Sequence, residues 1–254
     1  MLFRGQAYRD ARGRPLRRRG VHVDITDLKR AKTELSQLTE RLIKAQEEER
    51  QRLARELHDD IGQRLSLLII GLDRLKHGLP LELRLQRGEL ASTLEEANAL
   101  ATDIHGLSHQ LHSSKLKHLG LKSALRELCS HIARQHGVDV RLVAGEMRGK
   151  LSEERALCLY RVAQEGLTNA VKHSRSDRID VELTAHGAAL QLTVRDFGCG
   201  FDLGHYEAGL GLASMKERLR MVGGALQVQT APGRGTMLQT EVGLERVARH
   251  ASVA

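Results

Sequence analysis

One histidine of this sequence, His58, lies in a helical pattern in which it could act as a nucleophile. Leu57 and Ile61 belong to the apolar stripe of this helix. Because His58 follows Leu57, it is rotated by about 100° from the stripe toward solvent. An imidazole at that edge is accessible to a second domain and can accept a transferred group. Asp59 and Gln63 are spaced to share a helix face beside it, although a lone exposed histidine can equally be a solvated surface residue.

A second predicted helix carries polar side chains that would suit a magnesium ion bound to phosphates. Glu165, Asn169 and His173 recur at a spacing of four residues, which places them on one helix face. The carboxamide oxygen of Asn169 suits Mg²⁺ that is shared with phosphate oxygens. Lys172 and His173 could bind the phosphates themselves. A solvated polar helix face would give the same spacing, so the pattern alone leaves both interpretations open.

Two glycine-rich segments lie at the ends of predicted elements. Residues 196–201, Asp-Phe-Gly-Cys-Gly-Phe, follow a predicted strand, and residues 209–212, Gly-Leu-Gly-Leu, precede a predicted helix. Glycines in such places let backbone N–H groups approach phosphates at a helix N-terminus. Neither segment is a Walker loop, because no Gly-Lys-Ser/Thr follows it. Ordinary turns would also explain each glycine pair by itself.

His58 lies in a long helical pattern that begins near Thr26, a residue type that favours the N-cap. A first apolar seam alternates spacings of three and four residues, as in a coiled coil: Leu28, Ala31, Leu35, Leu38, Leu42 and Ala45. A second seam continues with a shifted phase: Leu53, Leu57, Ile61, Leu65, Leu68, Leu72 and Leu75. The charged stretch 46–52 between the seams predicts a four-residue insertion, which locally unwinds a coiled coil. We predict that this stretch is the least stable part of the helix and can pass a rotation on to His58.

The other elements place this helix between two kinds of structure. Residues 3–9 and 16–25 predict two strands before it, and a second amphipathic helix over 90–111 follows it after a break at 77–80. Apolar stripes on only two helices predict a dimeric four-helix bundle. From about residue 115 the pattern becomes mixed α and β. The predicted elements are a helix over 121–134, a strand over 138–143, a helix over 153–171 capped by Ser152, strands over 179–185 and 190–196, a helix over 212–222, and strands over 226–230 and 236–242.

Composition limits the class of protein. The 254 residues, 41% of them apolar, are enough for about two domains. The net charge of +8 is concentrated in residues 1–30, where nine Lys and Arg oppose three acids, so DNA binding through this basic arm is a weak alternative. Three widely spaced cysteines, Cys129, Cys158 and Cys199, form no CxxC pair and are typical of reduced thiols. The longest apolar run, 65–72, is too short to span a membrane.

The four chemical segments together resemble a sensor histidine kinase of the nitrate/nitrite-sensor-like subfamily. Residues 49–63, with Glu-Arg, then Arg-Glu-Leu-His-Asp and a Gln five residues after the His, resemble its phosphoacceptor box. Residues 164–173, 196–201 and 209–212, with Gly235-Thr236, resemble the N, G1 and G2 boxes and final Gly-Thr of the ATPase domain shared by histidine kinases, gyrase and Hsp90. Residues 10–30 are similar to the C-terminal end of a PAS sensor domain. Phe197 departs from the Asn or Asp that the family often has at its position.

The resemblance implies an α+β fold. A helical hairpin forms a dimeric four-helix bundle and is followed by an α/β two-layer sandwich ATPase domain of the Bergerat type. The chain would be cytoplasmic, and any membrane portion would lie outside it. The implied domains are an incomplete C-terminal end of a PAS-like sensor domain over 1–27, a coiled-coil signalling helix over 28–48, a dimerisation and histidine phosphotransfer domain over 49–114, an ATP-binding domain over 115–245 and a tail over 246–254.

The resemblance also implies an activity. With Mg²⁺, ATP would phosphorylate His58, and the phosphoryl group would pass to an aspartate of a response regulator. Asp59 would orient the imidazole, Asn169 would hold Mg²⁺, and Asp196 would accept a hydrogen bond from the adenine amino group. The residues implied to be catalytic are His58, Asp59, Gln63 and Glu165. The residues implied to bind ATP are Asn169, Lys172, His173, Asp196, Gly198, Gly200, Gly209, Leu210, Gly211 and Thr236.

The implied partners are a second copy of the chain and a response regulator with a LuxR-type helix-turn-helix output domain. Direct binding to nucleic acid is not expected. Two alternatives from other functional classes remain open. The chain could act mainly as a phosphatase of the regulator, with Asp59 and Gln63 positioning a hydrolytic water. It could instead be a dimeric scaffold that binds ATP without transferring phosphate, although intact His58, Asn169 and Asp196 argue against this.

Overall fold

The chain divides into two compact units, Met1–Ile43 and Lys44–Ala254. This computed structural model describes residues 2–10, 12–80, 82–111, 114–147, 149–202 and 210–245. Within these ranges no helix is both long enough and apolar enough to cross a membrane.

The first unit contains a β-hairpin and the start of a long helix. Strands β1 (Leu2–Arg9) and β2 (Pro15–Val23) pair antiparallel, which confirms the two predicted strands. The turn between them is held by Asp10, whose Oδ1 accepts hydrogen bonds from the backbone N–H groups of Arg12 and Arg14 at 2.9 and 2.8 Å. An aspartate that bonds to backbone groups ahead of it is a common way to fix such a turn.

The long helix α1 spans Thr26–Glu56 and is followed without a break by a π-helical turn, π1 (Leu57–Gly62), and by helix α2 (Gln63–Gly78). The start at Thr26 and the end before Pro80 agree with the sequence. Residues 46–52 form a regular α-helix, and the local unwinding of a coiled coil there stays a prediction. The irregular turn is π1, which contains His58. A π-helical turn absorbs one extra residue, so the helix passes the histidine without a break.

Helix α3 (Arg84–Leu111) packs along π1 and α2 to form the predicted helical hairpin, and it begins six residues earlier than expected. The buried Ser108 Oγ donates a hydrogen bond to the Ala54 carbonyl across the hairpin at 3.0 Å. Few apolar side chains of this hairpin are buried, whereas many large ones are exposed. The exposed ones are Leu53, Ile61, Leu67, Leu68, Ile70, Leu75, Leu85, Leu100 and Leu107.

The rest of the second unit is built on a five-stranded sheet with the order β3-β4-β5-β7-β6. Only the β3–β4 pair is parallel. Each predicted strand is present, with small differences at the ends. Their bounds are β3 Asp139–Ala144, β4 Arg178–His186, β5 Ala189–Asp196, β6 Ala225–Thr230 and β7 Thr236–Gly243.

Three helices cover one face of this sheet. They are α4 (Ser114–His136, interrupted at Gly120), α5 (Glu153–Asn169) and α6 (Leu210–Met221). Ser152 caps α5 as predicted, and its side chain accepts the Arg155 N–H at 3.4 Å. After Asn169 the helix widens into a second π-helical turn, π2 (Ala170–Ser174). The fully buried core between helices and sheet includes Leu125, Leu159, Leu167, Ile179, Leu190, Leu192 and Leu219, which confirms the α+β two-layer fold.

Candidate active site

The α/β part contains a cavity of about 310 Å³. Ligand pockets in proteins measure about 300–1,000 Å³, so this one can hold part of a nucleotide. Its walls include Asn169, His173, Asp196, Gly200 and Thr236, all of which the sequence motifs had singled out. The other wall residues are Gly166, Ala170, Ser174, Val194, Cys199, Phe201, Leu212 and Leu238. Motifs that are far apart in the sequence therefore converge on one cavity.

Asp196 is held rigidly at the end of β5. The residue is 6% exposed. Its Oδ1 accepts hydrogen bonds from the backbone N–H groups of Gly198 at 3.0 Å and Thr236 at 3.2 Å. Among the described residues, no hydrogen bond to Oδ2 is present. Buried polar atoms are normally hydrogen-bonded, so Oδ2 is available to accept a bond from a donor in the cavity.

The glycines of residues 196–201 have a packing role that differs from the predicted approach to phosphates. A Cβ atom on Gly198 would overlap the Ser174 carbonyl oxygen. Gly200 has a φ of +55°, and a Cβ atom there would overlap the Ala231 carbonyl oxygen. These glycines let the segment after β5 pack directly on two neighbouring backbones, as the hydrogen bond from Cys199 N to Ser174 O at 2.8 Å illustrates. They shape the cavity wall more than they expose N–H groups.

Glu165 and Asn169 lie on one face of α5, against the start of α6. A Cβ atom on Gly211 would overlap Glu165 Oε1 and lie 3.6 Å from Asn169 Nδ2. Both polar side chains are therefore packed close to this glycine, and a larger residue at 211 would displace them. Leu210 begins α6, and Gly209 lies outside the described residues.

Lys172 and His173 lie in π2, so they do not continue the spacing of Glu165 and Asn169 in the regular helix. His173 lines the cavity, whereas Lys172 is exposed and is not one of the wall residues. The carbonyl of His173 accepts a hydrogen bond from Cys199 Sγ at 3.2 Å. The structure thus separates two residues that the sequence motif grouped together.

Phe197, which follows Asp196, lies between two arginines. The guanidinium carbon atoms of Arg178 and Arg195 lie 5.1 and 4.7 Å from the centre of the ring. Arg178 also binds Asp180 through two hydrogen bonds of 2.8 and 2.7 Å, and this contact raises the pKa of Arg178. The exposed aromatic ring is therefore covered by cation–π contacts outside the cavity wall.

His58 is exposed in π1 and lines a cleft of about 730 Å³ between π1, α2 and α3. Its ring lies 5.6 Å from the ring of His105 on α3, a neighbour that the sequence pattern had not indicated. Gln63 lines the same cleft and Asp59 is not among its lining residues, so the shared helix face of Asp59 and Gln63 stays a prediction. Asp59 makes no hydrogen bond with His58 in the described part of the chain.

Sequence reasoning also missed a buried ion pair between Glu47 of α1 and Arg161 of α5. Arg161 precedes Glu165 by one helical turn and so belongs to the same polar face. Arg161 is the one charged residue in the apolar stretch Leu157–Ala163. A charged residue in such a stretch is rarely buried without a partner, so it could have indicated one. The identity of that partner could not be read from the sequence.

Two protein families match the two parts of the chain that carry these sites. Residues 49–116, which include His58, match the family described as histidine kinase. Residues 154–246, which include the cavity, match the family described as histidine kinase-, DNA gyrase B-, and HSP90-like ATPase. The chain belongs to the sensor histidine kinases. The resemblance stated from the motifs is thereby confirmed, whereas the PAS remnant and the coiled coil remain predictions.

The chain is similar in sequence to two sensor histidine kinases. It is 35% identical over 216 residues to sensor histidine kinase MctS of Rhizobium johnstonii, covering 82% of this chain and 46% of that one. It is 31% identical over 211 residues to oxygen sensor histidine kinase NreB of Staphylococcus carnosus, covering 81% and 59%. The chain thus spans about half the length of these relatives. The histidine kinase domain of a blue-light activated kinase from Erythrobacter litoralis aligns with a TM-score of 0.47 and 20% identity over 72% of this chain and 94% of that one.

Proposed function

We propose that this chain transfers the γ-phosphoryl group of ATP to His58 and then to an aspartate of a response regulator. The observation that carries this proposal is the buried Asp196 carboxylate at the cavity, with one oxygen fixed by two backbone N–H groups and the other free of bonds to described residues. That second oxygen would accept a hydrogen bond from the adenine amino group. The ATPase family that residues 154–246 match uses ATP.

The residues around the cavity also fit the phosphate end of ATP with Mg²⁺. Asn169 would offer its carboxamide oxygen to the ion, and Glu165 lies beside it. The described residues contain no cluster of three His, Cys, Asp or Glu that could form a metal site by itself. Mg²⁺ commonly has few protein ligands and takes the rest of its shell from water and phosphate. When bound, the ion would neutralise charge on the phosphate oxygens.

The proposed reaction of His58 is a single displacement at the γ-phosphorus of ATP. A neutral ring nitrogen would form a bond to the γ-phosphorus while the bond from that phosphorus to the ADP oxygen breaks. The phosphorylated ring would then release the proton of its other nitrogen to a base. Asp59 is adjacent in sequence, but it makes no hydrogen bond with His58 in the described part of the chain. Its proposed role is therefore to orient the ring during transfer and not before it.

A homodimer is part of the proposal. The helical hairpin leaves Leu68, Leu75, Leu100 and Leu107 exposed on α2 and α3. A monomeric soluble domain rarely leaves so many large apolar side chains in water, and a second hairpin would cover them in a four-helix bundle. The domain limits 28–48, 49–114 and 115–245 and a LuxR-type regulator as partner are retained as proposals.

One observation favours a second activity, the removal of phosphate from the regulator. Gln63 lines the same cleft as His58. A carboxamide there could position a water molecule against the phosphoaspartate of a regulator docked on the hairpin. We therefore propose phosphatase activity as a companion to the kinase activity.

The test of the kinase activity is direct. The chain is incubated with γ-labelled ATP and Mg²⁺, and the protein is analysed for label that is lost in acid and retained in base, as expected for phosphohistidine. His58→Gln should abolish the label and leave ATP affinity unchanged, since His58 does not line the ATP cavity. Label that persists in His58→Gln would exclude His58 as the acceptor. The absence of label in the unaltered chain, with ATP bound, would favour the scaffold alternative.

A further inference from the structure

The buried ion pair between α1 and the ATPase domain is joined by two hydrogen bonds. Glu47 is 8% exposed and Arg161 is 3% exposed. Arg161 Nε donates to Glu47 Oε2 at 2.9 Å, and Arg161 Nη2 donates to Glu47 Oε1 at 2.6 Å. Two parallel bonds of this kind fix orientation as well as distance. One carboxylate of α1 is thus fitted to one guanidinium of α5.

Residues of two further helices, α3 and α6, contact the same ion pair. Arg161 Nη2 also donates to the Leu111 carbonyl at the end of α3, at 2.6 Å. Arg218 of α6 places Nη1 3.7 Å from Glu47 Oε2 and donates from Nη2 to Gln46 Oε1 at 3.3 Å. Helices of the hairpin and of the ATPase domain therefore meet at a single buried carboxylate. We call this group the Glu47 cluster: Gln46, Glu47, Arg50, Leu111, Arg161 and Arg218.

Positive charge is in excess in the Glu47 cluster. Three guanidiniums, those of Arg50, Arg161 and Arg218, lie near the carboxylate of Glu47, and the Glu165 carboxylate is a second, weaker source of negative charge for Arg50 and Arg218. Burial is the main cause that lowers the pKa of Arg50 and Arg218, and each is lowered further by Arg161. Without the Glu47 charge, the arginine of α1 and the two of the ATPase domain would repel one another. Glu47 is therefore the group on which the contact between α1 and this domain depends.

The cluster is connected to the ATP site through α5. Arg161, Glu165 and Asn169 recur at one-turn intervals, so the face that meets Glu47 is the face that continues to the proposed Mg²⁺ site. Asn169 lies roughly 12 Å along α5 from Arg161, and His58 lies roughly 16 Å along the first helix from Glu47. The contact thus fixes the helix of the donor site to the helix of the acceptor.

In this docked arrangement the donor and acceptor sites are apart. The His58 cleft is lined only by residues between Leu57 and Ser108, and the ATP cavity only by residues between Gly166 and Leu238, among those described. Phosphoryl transfer requires the reacting atoms to be within about 3–3.5 Å of each other. The ATPase domain must therefore move before it can phosphorylate the His58 of its own chain.

We propose that the Glu47 cluster is an autoinhibitory dock, in which α1 holds the ATPase domain away from His58 until Arg161 and Arg218 leave Glu47. The inference rests on the proposed kinase function. A buried ion pair suits such a switch, because both ions regain water on separation and the net stability of the dock is small. A shift of α1 imposed from upstream would act directly on Glu47. The charged stretch 46–52 then has a regulatory role through its side chains and not through unwinding.

The first test removes the charge and keeps the shape. In the full chain, Glu47→Gln should raise the initial rate of His58 labelling about fivefold or more, the lower end of typical coupling between sites. ATP affinity should stay unchanged. Glu48→Gln is the matched control, since Glu48 is exposed and has no ion pair in the described part of the chain; it should label at the unaltered rate. A Glu47→Gln rate no higher than that of Glu48→Gln overturns the dock.

The second test fixes the dock and does not depend on how Glu47→Gln folds. Gln46→Cys and Arg218→Cys are combined with Cys199→Ser, which removes the one exposed thiol, and joined by a short cleavable bismaleimide. Cross-linked protein should lose His58 labelling, retain ATP binding, and recover when the linker is cut. Equal labelling before and after cutting overturns the inference alone. If neither the unaltered chain nor any variant is labelled although ATP binds, the proposed kinase function fails instead.

Discussion

The helical hairpin and the ATPase domain use the same apolar residue types in opposite ways. The ATPase domain buries its leucines completely, as Leu125, Leu159 and Leu192 show. The hairpin leaves Leu67, Leu75 and others more than half exposed, and Ala54 and Leu94 are its only buried apolar residues beyond residue 44 in the described part. One domain closes its own core, whereas the other presents a core that a second surface must complete.

The chemistry divides along the same line. The ATP cavity is enclosed by sheet and helices, and its key carboxylate, Asp196, is buried and fixed. The proposed acceptor His58 is exposed in an irregular helical turn. A rigid pocket suits selective binding, whereas an exposed histidine suits access by two partners in turn, the ATPase domain and the regulator. The binding of the nucleotide and the presentation of the histidine are thus separated between the two domains.

The largest expected effect tests the self-sufficient core. Leu125→Ala removes a fully buried side chain of α4 and should destabilise the ATPase domain by about 2–5 kcal/mol. Leu75→Ala should change the free energy of unfolding of the ATPase domain much less, since Leu75 lies on α2 and is exposed. Urea unfolding followed by ATP binding measures both. Equal destabilisation of the ATPase domain by the two substitutions would contradict the contrast.

The next effect concerns the rigid pocket. Asp196→Asn should keep an oxygen for the N–H groups of Gly198 and Thr236 but turn an amide N–H₂ toward the adenine amino group. Loss of one charge-assisted hydrogen bond of about 1.5–3 kcal/mol should weaken ATP binding about 10- to 100-fold. Calorimetric titration with a non-hydrolysable ATP analogue gives the affinity, and His58→Gln serves as the control that should bind normally. Unchanged affinity in Asp196→Asn means that the adenine assignment is mistaken.

A smaller effect is expected at the incomplete core. Leu68→Glu places a charge on the exposed apolar surface of α2 and should weaken dimerisation about tenfold or more, because a charge at an apolar interface must lose water. Leu119→Glu is the control, since Leu119 is exposed but lies outside the hairpin. Sedimentation velocity over a concentration series compares the two. If Leu119→Glu dissociates the protein as readily as Leu68→Glu, the hairpin is not the dimer surface.

The smallest effect distinguishes buried from exposed thiols. Burial raises the pKa of Cys129 and Cys158 to about 12, so both stay protonated and unreactive at mildly alkaline pH. Cys199 is exposed, and its Sγ donates only to a backbone carbonyl. One thiol should therefore react with a maleimide in the folded protein and three after denaturation. Cys199→Ser should leave His58 labelling unchanged under reducing and oxidising conditions, and a large loss would show that this thiol has a role in the site.

Much of the fold follows from local patterns. The alternation of apolar and polar residues in Leu190–Asp196 predicted β5. Successive side chains of a strand point to opposite faces, so a strand with one buried face alternates between the two types. Ser152 specified the start of α5 because its side chain satisfies a free backbone N–H. The spacing of Glu165 and Asn169 correctly placed them on one face. The limit of such reasoning appears at π1, where the sequence pattern predicted a regular α-helical period and the structure has a π-helical turn.

Sequence alone determined which residue types recur with which period, and therefore the helices, the strands, the motif positions and the family. Only the tertiary structure decided what those residues meet. It showed why glycine is needed at 198 and 200, because a Cβ atom there would overlap the carbonyl oxygens of Ser174 and Ala231. It also joined Glu47 to Arg161 across 114 positions. Local propensity acts within a few residues of the chain, whereas burial of a charge requires a partner that only folding brings within hydrogen-bond distance.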